Sequence, residues 1–299
     1  MSLSVKDYIL NADRFWPSTH KRNVVKIMRA FDACSIKSLS DKNGCLDELI
    51  AVAKIRERFN AKHLYLINTG SSGSHWIEAM LGLLPGFYNG GEIYLPPKIR
   101  SSLKTLNKKS ANEFLDVIYL LHSGGIHKDA LTATLSNSAH LANHQLLSEY
   151  SANKNTVLLL RNPVDVVISR TFRKDEYKKD VAPSLDDKEY LERNCVYVEN
   201  FFANIDESSF DAIVKYEDFV GAPLSNLKKL AELIGLEVNE DQLQYAIDRT
   251  SMKSELQAVE KGGNALTNIY LGDKESHDWA KDYLRKRLEK LLVKYNYSK

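Results

Sequence analysis

Short apolar runs alternate with stretches of helical periodicity along most of the chain. Four runs stand out: HLYLI (63–67), FLDVIYLL (114–121), NTVLLL (155–160) and FDAIVK (210–215). Each is followed by glycine or polar residues and then by a helical pattern. That order predicts a parallel sheet covered by helices. Strands buried on both faces read as continuous apolar runs, which these largely are. Residues 1–60 hold no such run and predict helices, among them an amphipathic one over CLDELIAVAKIRERF. In the final third, PLSNLKKLAELIGL opens on Pro223 and closes on Gly235, the usual punctuation of a helix. WAKDYLRKRLEKLLVKY predicts one further helix, with Trp279, Tyr283, Leu284, Leu288, Leu291 and Tyr295 on one face. The charged stretch 170–193 predicts a long solvated loop leading into a helix.

With 299 residues the chain is long enough to bury a large core, and the pattern is read as one domain over 1–299, with 1–60 as a helical extension packed on it. Forty-one Lys and Arg against 39 Asp and Glu give a net charge of +2, so wholesale nucleic-acid binding is not expected. No apolar run reaches the roughly 18 residues of a membrane span. The start, MSLSVKDYILNADRFW, does not read as a signal peptide, so a cytoplasmic location is expected. Cys34, Cys45 and Cys195 are widely separated, fit neither a disulfide framework nor a zinc site, and read as reduced thiols.

The chemistry concentrates at strand ends. TGSSGSHW follows the first strand and offers Gly70 and Gly73 with Ser71, Ser72 and Ser74. Glycines let backbone N–H groups turn toward an anion, serines add hydroxyl donors, and the next helix adds its dipole. The nucleotide-triphosphate motif G-x-x-x-x-G-K-[ST] fails, because Ser74, His75 and Trp76 follow Gly73. Taken alone, a plain strand-to-helix turn explains the loop equally well. VLLLRNPVDVVISRTF places Arg161 just after a strand and Ser169 two turns into a helix. There a guanidinium can fork onto a phosphate while the hydroxyl adds a donor. Alone, Arg161 reads as a salt-bridged surface arginine.

Together, these segments resemble the PAPS-dependent sulfotransferases, of the cytosolic type, which take a sulfuryl group from 3′-phosphoadenylyl sulfate (PAPS). TGSSGSHW resembles the family's 5′-phosphosulfate loop, PKSGTTW, and LLRNPVDVVIS resembles its 3′-phosphate motif. IVKYEDF and IDRTSM resemble its YED and RTSF segments, and EKGG (260–263) its RKG loop. The resemblance implies a P-loop-containing three-layer α/β fold, a central parallel sheet flanked by helices. It assigns Ser71, Ser72, Gly73, Ser74 and His75 to the donor's 5′ end and Trp76 to the adenine face, although Trp76 also reads as a core residue. Arg161 and Ser169 take the 3′-phosphate, Tyr216 and Thr250 line the adenine pocket, and Lys261, Gly262 and Gly263 close over the phosphate. In the cytosolic members the second strand ends in a histidine that acts as base. With the second strand at FLDVIYLL, that residue is His122, with His127 the alternative. His140 and His144 fall i, i+4 on a helical reading, but HLANH lacks the glutamate of HExxH and no metal is expected.

This sequence departs from the family at three points. The loop lysine falls at Ser71, the arginine of RKG falls at Glu260, and no KTVE-type dimer segment is recognisable. A cation is therefore expected near the bridging oxygen from His75 or from a lysine or arginine elsewhere in the chain. The implied reaction is sulfuryl transfer from PAPS to a hydroxyl of a small-molecule, lipid or carbohydrate acceptor, releasing PAP. A PAP- or PAPS-holding protein without turnover is the alternative that the missing lysine suggests. A P-loop phosphotransferase is disfavoured by the failed motif.

Overall fold

The first apolar run forms β1 (His63–Asn68), buried at every residue and central in the sheet. The computed structural model describes residues 39–93, 95, 97–122, 132–173, 178–179, 181–261 and 277–297. Around β1 lie β2 (Phe87–Ile93), β3 (Thr134–His140), β4 (Lys154–Leu160) and β5 (Ala212–Lys215), all parallel, in the order β2-β3-β1-β4-β5. Successive β1 side chains enter opposite layers, as the two-residue period of a strand requires. Tyr65 and Ile67 pack with α1 (Leu39–Arg58) and α4 (Lys108–His122), which is preceded by α3 (Pro97–Leu103). Leu64 and Leu66 pack with α2 (Ser74–Leu81) and with the later helices α9 (Pro223–Leu233) and α10 (Glu240–Arg249). The result is a three-layer α/β fold.

The run FLDVIYLL is not a strand. It is the C-terminal half of α4, and it is apolar all round because Phe114, Leu115, Val117, Ile118, Tyr119 and Leu120 are all buried in one core cluster. The strand expected there is TLSNSAH, whose Thr134, Ser136, Asn137 and Ser138 are polar and yet buried. Its polarity is satisfied in part: Asn68 Nδ2 donates to Ser138 Oγ at 2.8 Å and Asn137 Nδ2 donates to the Gly91 carbonyl at 3.2 Å, whereas Ser136 Oγ and Asn137 Oδ1 are buried without a hydrogen-bond partner among the described residues. β2, FYNGGEI, was likewise hidden by its glycines and polar residues.

β3 leads into α5 (Leu141–Tyr150), and β4 into α6 (Pro163–Phe172). The charged stretch 170–193 ends as expected in a helix, α7 (Asp187–Ala203), started by a capping box between Asp186 and Glu189, but its first residues belong to α6. β5 is followed by α8 (Tyr216–Gly221), then α9, α10 and α11 (Met252–Glu260). The expected last helix is two, α12 (Asp278–Arg287) and α13 (Glu289–Lys294), separated at Leu288. Leu284, Leu288 and Tyr295 are buried with Ala280 and Leu292, whereas Trp279 and Tyr283 are exposed, because the buried stripe runs through Ala280, Leu284, Leu288 and Leu292 at i, i+4 spacing and those two aromatics lie beside it. Cys195 is a free, buried thiol, whereas Cys34 and the Cys45 side chain lie outside what is described. Among the described residues no helix is long and apolar enough to cross a membrane.

One charged cluster ties the central strand to one helix layer, at the end of β1 away from the glycine loop. Asp116 of α4 sits 2.7 Å from His63 Nε2 of β1 and 3.9 Å from Arg56 Nε of α1. Arg56 is 1% exposed, and burial works against its charge while Asp116 offsets that effect. Its Nη1 also donates to the Ala133 carbonyl at 2.9 Å, just before β3. Removing the anion would leave a buried guanidinium uncompensated. Asp116→Ala should therefore lose about 3–5 kcal/mol of unfolding free energy in urea titration, and a loss below about 1 kcal/mol would remove the cluster from the account.

Candidate functional site

The C-terminal ends of the five strands converge on the segment 68–76, where open α/β sheets place their ligands. Asn68 pairs in register with His140, so the glycine loop and the end of β3 lie side by side. Asn68 shapes the loop, accepting from the Gly70 N–H at 2.7 Å through Oδ1. The loop then takes three left-handed residues: Gly70 (φ 74°), Ser71 (φ 59°) and Gly73 (φ 86°). Gly73 is obligatory for a second reason: a Cβ there would lie 2.3 Å from the Tyr216 ring. Ser72 and Ser74 turn inward, to Thr69 Oγ1 (2.9 Å) and Ser138 Oγ (3.0 Å). Gly73 ends the loop as N-cap of α2 without a side-chain cap, and the N–H groups of Ser71, Ser72 and Gly73 have no acceptor among the described residues. Free N–H groups ahead of a helix N-terminus form an anion site.

Two guanidinium groups grip this loop from behind. Arg161, first residue after β4, donates from Nη1 to the Ser71 carbonyl at 3.0 Å and lies 4.5 Å over the Tyr216 ring. Its Nε and the Ser71 hydroxyl are both buried without a hydrogen-bond partner. Such orphaned donors fit a phosphate oxygen. Arg170, at the end of α6, donates from Nη1 to the Thr69 carbonyl at 2.9 Å and from Nε to Asn194 Oδ1 at 3.3 Å. Neither contact uses its Nη2. Ser169, its neighbour, is half-buried on the same helix. The sequence reading missed Arg170, although it follows Ser169 directly.

The adenine candidates assemble only in part. Trp76 and Tyr216 meet edge to face with centroids 5.9 Å apart. Trp76 Nε1 donates to the Thr250 carbonyl at 3.1 Å, while the Thr250 hydroxyl donates to the Ala246 carbonyl at 2.9 Å. Thr250 therefore holds Trp76 in place, and its hydroxyl is spent within α10. Glu217, from the YED segment, accepts from the Asn162 N–H at 2.8 Å and pins the turn after Arg161. Lys261 is the exposed C-cap of α11, and Gly262 and Gly263 lie outside the described residues.

The base candidate requires a correction. His122 is the last residue of helix α4, so the reason for choosing it, a strand's C-terminal end, does not apply. The histidine that closes a strand beside the loop is His140, last residue of β3. Nor do His140 and His144 share a helix face, since only His144 belongs to α5, where it stacks on Phe210 at 4.1 Å. His127 lies outside the described residues. His140 Nδ1 stands 3.1 Å from the Tyr197 hydroxyl, and Nε2 stands 3.5 Å from Glu92 Oε1.

Beside His140 opens a cavity of about 960 Å³, lined among others by Arg170, Tyr197, Leu95, Arg100, Asn143 and Phe201. Leu95 comes from the segment YLPPKI (94–99), which follows β2. His75, the cation candidate nearest in sequence, is placed otherwise. Its Nδ1 is 3.5 Å from Glu78 Oε2, and its Nε2 is 4.0 Å from Glu92 Oε2. Burial pushes the Glu78 carboxyl up, and the contact with His75 works the other way.

A family model described as Sulfotransferase domain matches residues 61–289. No curated protein matches the chain. Among solved structures, mouse sulfotransferase SULT7A1 complexed with PAP has a TM-score of 0.46 at 14% identity, over 78% of this chain and 84% of that one. Retinol dehydratase in complex with androsterone and inactive cofactor PAP has a TM-score of 0.43 at 16% identity, over 78% and 80%. The sulfotransferase domain from the curacin biosynthetic pathway has 0.43 at 14%, over 77% and 98%. The family match spans well over half the chain, from just before β1 into α13, and it contains the loop, both arginines and His140. The chain belongs to the sulfotransferase-domain family.

Proposed function

We propose that the protein transfers a sulfuryl group from PAPS to a hydroxyl, giving a sulfate ester and PAP. The observation that carries this reading is the pair of arginines clamped to the loop carbonyls, which supplies the charge that the loop itself lacks. The neighbours named above as PAP complexes suggest the same donor. The free N–H groups of Ser71, Ser72 and Gly73, together with Ser74 and the α2 N-terminus, take the 5′-phosphosulfate. Arg161, through its orphaned Nε, and Ser169 take the 3′-phosphate. Trp76 and Tyr216 flank adenine, with Thr250 holding Trp76. Lys261, Gly262 and Gly263 complete the phosphate cover.

PAPS supplies an activated sulfuryl group whose bridging oxygen gains negative charge as its bond to sulfur breaks. Arg170 stands where a cation is needed, with Nη2 unspent by its bonds to Thr69 and Asn194. His140 takes the acceptor proton, since an imidazole at a strand end beside both the loop and the cavity is suited to that transfer. The cavity takes the acceptor. Its walls mix apolar side chains with Arg100 and amides, which suits an acceptor bearing both apolar and polar groups. A non-catalytic PAP-holding role is the second reading, and Arg170, bonded to the Thr69 carbonyl of the loop, is what favours turnover over it.

Two outcomes are expected. Arg161→Ala should weaken PAP by roughly 30-fold or more in titration calorimetry and erase the preference for PAP over AMP; equal affinities would remove Arg161 from the donor site. His140→Ala should lower labelled-sulfate transfer from PAPS, measured across an acceptor screen, by about 10²–10⁴-fold with PAP affinity unchanged. A loss in His122→Ala with none in His140→Ala would return the role to the end of α4.

A further inference from the structure

Glu92, near the end of β2, stands between two imidazoles. Its Oε1 is 3.5 Å from His140 Nε2 and its Oε2 is 4.0 Å from His75 Nε2. A bulge puts it there. The β2–β3 register shifts between Asn89 and Gly91, so that Glu92 opposes Ser138, two residues before His140. Gly90 permits the bulge, because a Cβ would lie 2.1 Å from Asn137 Nδ2. On the other side of the His140 ring, Tyr197 of α7 faces Nδ1 at 3.1 Å, lines the cavity, and carries the Arg170 guanidinium 4.2 Å over its ring. Among the described residues, Glu78, His75, Tyr197 and Arg170 are charged or titratable groups around the pair.

A neutral imidazole has one ring proton, and an ionised carboxylate can only accept. With Glu92 facing Nε2, the proton belongs on Nε2 and the lone pair on Nδ1, toward the Tyr197 hydroxyl and the cavity. We propose that Glu92 is a positioning residue that holds His140 as the Nε2–H tautomer and makes Nδ1 the nitrogen that receives the acceptor's proton. This rests on the reading of His140 as base. In the transfer, the acceptor O–H proton passes to Nδ1, with the acceptor oxygen taking the place of the Tyr197 hydroxyl. That oxygen bonds to sulfur, the bond between sulfur and the bridging oxygen breaks, and PAP leaves with its electron pair. The imidazolium so formed remains at ion-pair distance from Glu92, the carboxylate–imidazole arrangement that orients and stabilises a base in hydrolases. The same placement accounts for His75, whose two ring nitrogens face Glu78 and Glu92.

The test is spectroscopic and needs no acceptor. Long-range proton–nitrogen correlation, with the His140 signals assigned by their loss in His140→Asn, should place the ring proton of neutral His140 on Nε2. That proton should exchange with water about tenfold more slowly in the wild type than in Glu92→Leu, with Glu92→Asp regaining part of the protection. Unchanged amide spectra away from β2 would show that the variants fold. A ring proton on Nδ1 in the wild type, or equal exchange in Glu92→Leu, overturns the proposal. PAP binding by the wild-type chain, followed by calorimetry, reports separately on the donor site, so failure of the sulfuryl-transfer reading would be distinguishable.

Discussion

The site depends on two cations holding a backbone that carries none. Arg161 and Arg170 donate to the carbonyls of Ser71 and Thr69, at 3.0 and 2.9 Å. Tying down those carbonyls fixes the left-handed turns at Gly70, Ser71 and Gly73, and with them the direction of the N–H groups. A loop without lysine would otherwise offer only partial charges to a phosphosulfate. Here the full charges arrive from the end of β4 and from α6, the helix that follows it, so the loop and that strand-to-helix segment are joined as one unit. Arg161 joins the two directly, because it touches the loop carbonyl and the Tyr216 ring while keeping one donor orphaned.

That arrangement explains which features could be read from the sequence. β1 and β4 were legible because their burial is apolar, and β5, a half-exposed edge strand, because Ala212, Ile213 and Val214 still form an apolar run; the loop and Arg161 followed from their position at the ends of β1 and β4. β2 and β3 were not: β2 carries two glycines and an exposed Asn89, and the interior of β3 carries Ser136, Asn137 and Ser138, of which Asn137 bonds to the Gly91 carbonyl and Ser138 to Asn68 and Ser74. Polar residues that serve a site break the apolar pattern by which a strand is recognised. The helix α4 satisfied the strand pattern instead, since it is buried all round, and its misreading carried the base to His122. His140 sat in plain sight but was read onto a helix, because HLANH has helical spacing. Arg170 needed the fold: nothing local tells that the end of α6 reaches Thr69.

The strand ends also divide the labour. In the proposed reaction the loop after β1 and the arginines beyond β4 serve the donor, while β2 and β3 place Glu92 and His140 on the side where the cavity opens. The bulge at Gly90 brings Glu92 into line with β3, so one glycine in β2 sets the spacing between a carboxylate and an imidazole. At the opposite end of β1 Asp116, His63 and Arg56 hold α1, β1 and α4 together, which keeps the central strand fixed beneath the loop.

The central claim is that Arg170 supplies the charge that the family's loop lysine would supply. The direct measurement is the single-turnover rate at which PAP forms from PAPS, with a mixed phenol and sugar acceptor set, in the wild type, Arg170→Gln, Ser71→Lys and the double variant. Losing one preorganised donor at the breaking bond should slow Arg170→Gln by about 10²-fold or more, while Ser71→Lys recovers part of that rate in the double variant and gives no gain alone. A full rate in Arg170→Gln, or a faster wild-type loop carrying Ser71→Lys, would contradict it.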